Sequence, residues 1–190
     1  MVVIDLVKHT DDESVQLLRQ IASGSERAMR EFYNRFERTV YTFSLSRLND
    51  PHIASDLVNE VMLAVWNGAE RFREGSKVKT WLLGIARYKV IDQLRKRKHD
   101  DFSELDDEVP DDTLITEELL TLAEDRAAVR DCLERLSATQ REVMQLVFYE
   151  ELHYREVAEL TACPEGTVKT RVYHAKQWLK KCLERWLRED

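Results

Sequence analysis

The stretch HYREVAELTACPEGTVKTRVYHAKQWL, residues 153–179, decides how this chain is read. Val157, Ala158 and Leu160 mark one face of a short helix. Ala162-Cys163-Pro164 breaks the pattern. A second helix starts near Pro164 and buries Val168, Val172, Ala175 and Leu179 at three- and four-residue spacing. Two short helices joined by a three- to four-residue turn form the helix-turn-helix pattern, whose second helix enters the major groove of DNA. Its outward face then offers Thr167, Lys169, Thr170, Tyr173, His174 and Gln177, with Arg171 at the boundary. These side chains can donate to phosphate oxygens or base edges. An ordinary helical hairpin with a solvated basic face has the same spacing. The five Lys/Arg against one acid between Glu165 and Lys181 favour the DNA-binding reading.

Outward from this motif the chain reads as all-α. It holds only five Gly and three Pro, and apolar residues recur at helical spacing almost throughout. Thr10-Asp11-Asp12-Glu13 fits a capping box opening a first helix that runs to about Gly24. Ser25 caps a second, with Phe32, Phe36, Val40 and Phe43 along one stripe. Asp50-Pro51 starts a third, carrying Leu57, Val61, Ala64 and Val65. A fourth follows the loop at Arg73-Glu74-Gly75-Ser76 and runs from about Val78 to Lys98. Ser137-Ala138-Thr139-Gln140 is a second capping box, opening a helix with Val143, Leu146 and Val147 facing inward.

The formal charge of −7 is unevenly placed. Residues 1–99 are net +4, residues 119–190 net −1, and residues 100–118 hold ten acids and no base. That acidic segment, with Pro110 inside it, reads as a flexible tether between two small helical domains, 1–99 and 119–190. The first sixty residues contain neither a signal peptide nor a membrane span. Three cysteines, Cys132, Cys163 and Cys182, without C-x-x-C spacing read as reduced thiols in a cytoplasmic protein. No clustered carboxylates with a partner base, Gly-rich phosphate loop or metal-ligand spacing argues for an enzyme or a cofactor.

Several motifs in order resemble one family. Tyr154-Arg155-Glu156-Val157-Ala158 and Cys163-Pro164-Glu165-Gly166-Thr167-Val168-Lys169-Thr170-Arg171 resemble the −35 reading domain of sigma factors, in the extracytoplasmic-function (ECF) branch of the sigma-70 family. Leu136 to Val143 looks like that domain's preceding helix. Asp56-Leu57-Val58-Asn59-Glu60-Val61 with Val65-Trp66 is similar to the family's helix for core RNA polymerase. Phe72-Arg73, Lys79-Thr80-Trp81-Leu82, Ile85-Ala86-Arg87 and Asp92-Gln93-Leu94-Arg95 resemble its −10 element segment.

The resemblance implies a subunit that binds core polymerase, opens the −10 region with its N-terminal domain and reads −35 duplex with its C-terminal one. It acts as a monomer on polymerase, under an anti-sigma factor, with the acidic linker in the RNA exit path. Asp56, Leu57, Asn59, Glu60, Leu63 and Trp66 would meet polymerase. Arg73, Lys77, Lys79, Trp81, Arg87, Lys89, Gln93 and Lys96 would meet the −10 region, although a tryptophan in this pattern is more often core. The loop Glu74 to Val78 would be the pocket for an unstacked base. The run Arg95-Lys96-Arg97-Lys98 fits DNA contact and a solvated helix end equally.

Two departures stand out. Relatives usually carry a run of acids before the Leu-Val of the polymerase helix, where this chain has Ile53-Ala54-Ser55-Asp56; phosphate on Ser55 would restore the charge. Tyr88 stands where relatives often carry asparagine. The competing reading is a stand-alone helix-turn-helix regulator that binds an operator without polymerase.

Overall fold

The computed structural model describes residues 2–73, 75–100 and 128–189, with side chains described over 12–73, 75–97 and 128–186. Every regular element among them is helical. The chain divides into two compact units, Met1–Phe102 and Ser103–Asp190.

The first unit packs four helices: α1 (Val2–Ala22), α2 (Glu26–Leu48), α3 (Pro51–Gly68) and α4 (Val78–Asp100), with a 3-10 turn at Ala69–Arg71 before α4. The expected capping box at Thr10 lies inside α1, which begins at Val2. The helix already runs through Thr10, so a local cap signal there does not start one. Gly24 closes α1 at φ +86°, a left-handed conformation that glycine adopts without a Cβ clash.

Ser25 caps α2 as its sequence requires, its hydroxyl accepting from the Ala28 amide at 3.2 Å. Phe32, Phe36, Val40 and Phe43 are all buried. They meet Leu18 and Ile21 of α1, Leu57, Val61 and Val65 of α3, and Leu82, Leu83, Ala86 and Val90 of α4 in one core. Arg35 ties α1 to α2 through the Ser14 hydroxyl at 3.1 Å and the Glu13 carboxylate at 3.1 Å.

Asp50 joins three elements. As N-cap of α3 it accepts from the amides of His52 and Ile53, both at 3.0 Å, with Pro51 at the first helical position. Arg97 near the end of α4 donates to the Leu48 carbonyl at 2.7 Å and to Asp50 Oδ2 at 2.6 Å. One guanidinium therefore fastens the end of α2 and the start of α3 to α4. The basic run 95–98 thus resolves at Arg97 into a structural clasp.

In the second unit residues 128–134 are helical (α5). Then come α6 (Ala138–Met144), a π turn at Gln145–Tyr149, α7 (Tyr154–Thr161) and α8 (Glu165–Glu189). The Ser137–Gln140 capping box forms as expected. Arg141 gathers carbonyls at the end of α5, those of Leu133 at 3.2 Å, Glu134, and Leu136 at 3.3 Å. Cys132, Val143, Leu146, Leu152, Val157, Val168, Val172 and Ala175 form the core.

The expectation of three free thiols is corrected here. Cys132 and Cys182 form a disulfide between α5 and α8, their Cα atoms 6.0 Å apart, and only Cys163 is free. The helical packing of α5 on α8 brings together cysteines fifty residues apart in sequence, a distance at which no local spacing rule operates. The acidic segment 100–118 lies outside the described residues apart from Asp100, which ends α4. Among the described residues no helix is long and apolar enough to cross a membrane.

Candidate nucleic-acid interface

The helix-turn-helix is built by one backbone device. Ala162 ends α7 in the left-handed region at φ +51°, its amide bonding back to the last carbonyls of that helix. Pro164 begins the next helix, its carbonyl accepting from Thr167 at 2.9 Å and Val168 at 3.2 Å. Val157 on α7 and Val168, Val172 and Ala175 on α8 are buried. The rest of α8's first half faces outward. Lys169, Thr170, Tyr173, His174 and Gln177 are exposed, while Thr167 and Arg171 are half-buried. All seven expected residues thus occupy one rim of a single helix.

Their local contacts leave donors for a ligand. Lys169 pairs with Glu165 at 2.7 Å, and this hydrogen-bonded carboxylate raises the lysine's pKa. The ammonium also stands 6.0 Å over the Tyr154 ring. Thr170 bonds the Gly166 carbonyl of its own helix at 2.9 Å. Tyr173 and His174 meet edge-to-face at 5.5 Å between ring centres. Arg171 reaches back to the Cys163 sulfur at 3.7 Å, bracing the turn.

The second group of expected residues lies in the first unit. Arg73 is exposed in the loop before α4, where the Gly75 amide bonds the Arg73 carbonyl at 2.6 Å. Lys77, Lys79, Arg87, Lys89 and Gln93 are half-buried and Lys96 is exposed. Trp81 is half-buried against Phe72, ring centres 5.4 Å apart. Val78, at the edge of the expected base pocket, is fully buried in the core, and Glu74 lies outside the described residues.

On α3, Asp56, Asn59, Glu60 and Leu63 form one exposed ridge at i, i+3, i+4, i+7. Leu63 is 60% exposed, unusual for a leucine in a packed domain. Trp66 is half-buried. Leu57 is 1% exposed, so it holds α3 in place and presents no surface. Tyr33 donates to Asn59 Oδ1 at 3.4 Å. Glu60 pairs with Lys89 of α4 at 2.9 Å, so the ridge touches the row of cations beside it. Lys96 pairs with Asp92 at 2.9 Å. The sequence reading missed Arg97 as the clasp, and Tyr88, noted there only as a departure from relatives, is 74% exposed on α4.

Known proteins resemble this arrangement in both units. Residues 32–99 match the model for sigma-70 region 2, and residues 126–179 that for sigma-70 region 4. The ECF RNA polymerase sigma factor SigK of Mycolicibacterium vanbaalenii is 31% identical over 179 residues, covering 88% of this chain and 87% of that protein. The SigK of Mycobacterium tuberculosis H37Rv is 30% identical over 173 residues, covering 88% and 92%. Among solved structures, CnrH in complex with the cytosolic domain of CnrY superposes with a TM-score of 0.68 at 21% identity, over 90% of this chain and 97% of that one. The sigma factor RpoE of Bartonella quintana, in complex with the anti-sigma factor NepR, superposes with a TM-score of 0.63 at 26% identity, over 82% and 98%. The chain belongs to the ECF subfamily of sigma-70 factors, subunits that bind core RNA polymerase and direct promoter-specific transcription.

Proposed function

We propose that this sigma factor divides promoter reading between its two units. Residues 119–190 hold −35 duplex through Thr167, Lys169, Thr170, Arg171, Tyr173, His174 and Gln177. Residues 1–99 open the −10 region through Arg73, Lys77, Lys79, Trp81, Arg87, Lys89, Gln93 and Lys96. The α3 ridge of Asp56, Asn59, Glu60 and Leu63, with Trp66 beside it and Leu57 packed beneath, meets core polymerase. Residues 100–118 serve as the tether between them.

The observation that carries this reading is the outward row on α8. It places hydrogen-bond donors and cations on one face of a helix whose opposite face is fully packed. That is the geometry by which a helix in a major groove reads base edges while phosphate contacts fix its register.

The protein works in the cytoplasm, where polymerase is, and contributes binding energy without chemistry of its own. Its counterpart is an anti-sigma factor, as RpoE has in NepR. Run-off transcription with purified core polymerase on a promoter library tests the assignment. Specific starts are expected with the holoenzyme. Binding of a promoter by the chain alone, as tightly as with core enzyme, would instead mark a stand-alone regulator.

A further inference from the structure

Arg171 is set apart from its neighbours in the outward row on α8. Lys169 and Tyr173 stand two positions before and after it, so its side chain projects about 160° away from each of theirs at 3.6 residues per turn. It is half-buried where both of them are exposed. Among the described residues its guanidinium has no carboxylate partner, and it reaches back over the turn to the Cys163 sulfur at 3.7 Å. That bond is the first of three. The Thr161 hydroxyl donates to the Val157 carbonyl at 2.7 Å and lies 3.2 Å from the same sulfur. With the one hydroxyl hydrogen engaged there, the thiol donates to Thr161 Oγ1 and its lone pairs accept from Arg171. The chain of donors therefore runs one way, from guanidinium to sulfur to hydroxyl to carbonyl, and each link polarises the next. It starts in the second turn of α8 and ends inside α7, at a residue that is fully buried.

Sulfur is a weak acceptor, so this chain adds little to stability. What it fixes is direction. The backbone between the two helices passes through Ala162, whose left-handed conformation sets only the exit from α7. Hydrogen bonds to base edges weaken steeply with misalignment. Attraction to phosphates survives it, because it depends on charge and not on aim. A reading helix that tilts therefore loses its sequence preference before its affinity for DNA, and its angle has to be held by side chains behind the reading face. We infer that Arg171 is a positioning residue: acting through Cys163 and Thr161, it sets the angle of α8 against α7 and makes no contact of its own with DNA. This role rests on the assignment of −35 duplex to α8, and it separates Arg171 from the residues on either side of it that meet the duplex.

The test uses the full chain with core polymerase and a promoter at which the wild-type holoenzyme initiates, in two forms, with the −35 element intact or scrambled. Binding to each is titrated over a range of salt. Arg171→Ala is expected to lower the preference for the intact form about tenfold, the scale of one mismatched base pair, and to leave the salt slope unchanged. A slope reduced by about one is the mark of a lost phosphate contact and overturns the inference. Cys163→Ala leaves the guanidinium in place and should lose the same preference. Cys163→Ser, which keeps a donor and an acceptor, should hold it within roughly twofold. Arg171→Ala combined with Cys163→Ala should be no worse than either alone, since one chain is broken in both. Additive losses overturn the inference, as does full preference in Cys163→Ala. Equal losses on intact and scrambled DNA in Cys163→Ala would show a part in folding alone, and overturn it as well. A wild-type holoenzyme indifferent to the −35 element removes the assignment of α8 along with it.

Discussion

The helices that we propose meet nucleic acid in the two units are of similar length, 23 residues in α4 and 25 in α8, and are surfaced differently. On α8 valines and an alanine face inward, and cations, hydroxyls, an amide and the rings of Tyr173 and Trp178 face outward. On α4 apolar residues occur on every side, while both helices pair cations with acids, Lys89 with Glu60 and Lys96 with Asp92 on α4, Lys169 with Glu165 and Lys180 with Glu184 on α8. Duplex DNA presents charge and hydrogen-bonding edges, which a polar face matches. An opened strand also presents the flat faces of its bases, which only apolar surface matches. In the proposed division of labour, α8 would meet the duplex and α4 the opened strand.

The units also differ in how they are fastened, which offers ways to break the comparison. The largest effect is expected from Cys132→Ser with Cys182→Ser. Closing a loop of some fifty residues is worth up to about 4 kcal/mol by chain entropy. Hydrogen exchange in urea, read peptide by peptide, should show the loss in residues 128–189 alone. Faster exchange in α2 or α3 would mean that the units do not fold independently.

Arg97→Ala should mirror that result in the first unit, at about 1–2 kcal/mol. A guanidinium bonded to a carbonyl and a carboxylate is worth somewhat more, but both side chains are about a third exposed to water. Unchanged stability of α2 and α3 would remove the clasp from the account.

On the DNA side, Lys169→Ala is expected to flatten the salt dependence of −35 duplex binding by about one counterion and to weaken it several-fold at low salt. Equal losses on scrambled duplex are expected, since a phosphate contact carries no sequence. A loss confined to the specific promoter would reassign Lys169 to base reading.

The smallest effect is a pH dependence. The Ile53 amide, then Arg97 and the His52 amide, hold the Asp50 carboxyl below its ordinary value of 3.8, against a raising effect of burial. A carboxyl with a lowered folded pKa contributes stability that is fully present above its unfolded pKa. That contribution is lost as pH falls through the folded value. Denaturation between about pH 4 and pH 2 should therefore be shallower in Asp50→Asn, which keeps the cap and removes the titration. Identical acid curves would show that Asp50 is not coupled to folding.

Much of this was legible in the residues. The stripe Phe32, Phe36, Val40 and Phe43, the caps at Ser25, Asp50 and Ser137, and the outward row on α8 follow from period and capping chemistry, which act within a few residues. What was not legible acts across the fold. Cys132 meets Cys182 only because α5 packs on α8. Arg97 looked like one cation in a basic run until the end of α2 and the start of α3 lay beside it. Thr10 misled because a cap signal is local and the helix around it is not. Tyr88 stood out in the sequence as a departure from relatives, but its exposure on α4 is visible only in the fold.

The bridge at Cys182 has a mechanical consequence for the reading end of the same helix. From Thr167 to Cys182 the chain is unbroken helix, about 22 Å at roughly 1.5 Å per residue. A rod pinned by a covalent bolt at one end and bearing on the turn at Pro164 behaves as a lever with a fixed fulcrum. In the proposed complex, its pitch in the groove would be set from outside the groove. A displacement of about 1 Å at the bolt tilts such a rod by only about 3°, yet it carries every side chain from Thr167 to Gln177 together, as one rigid comb.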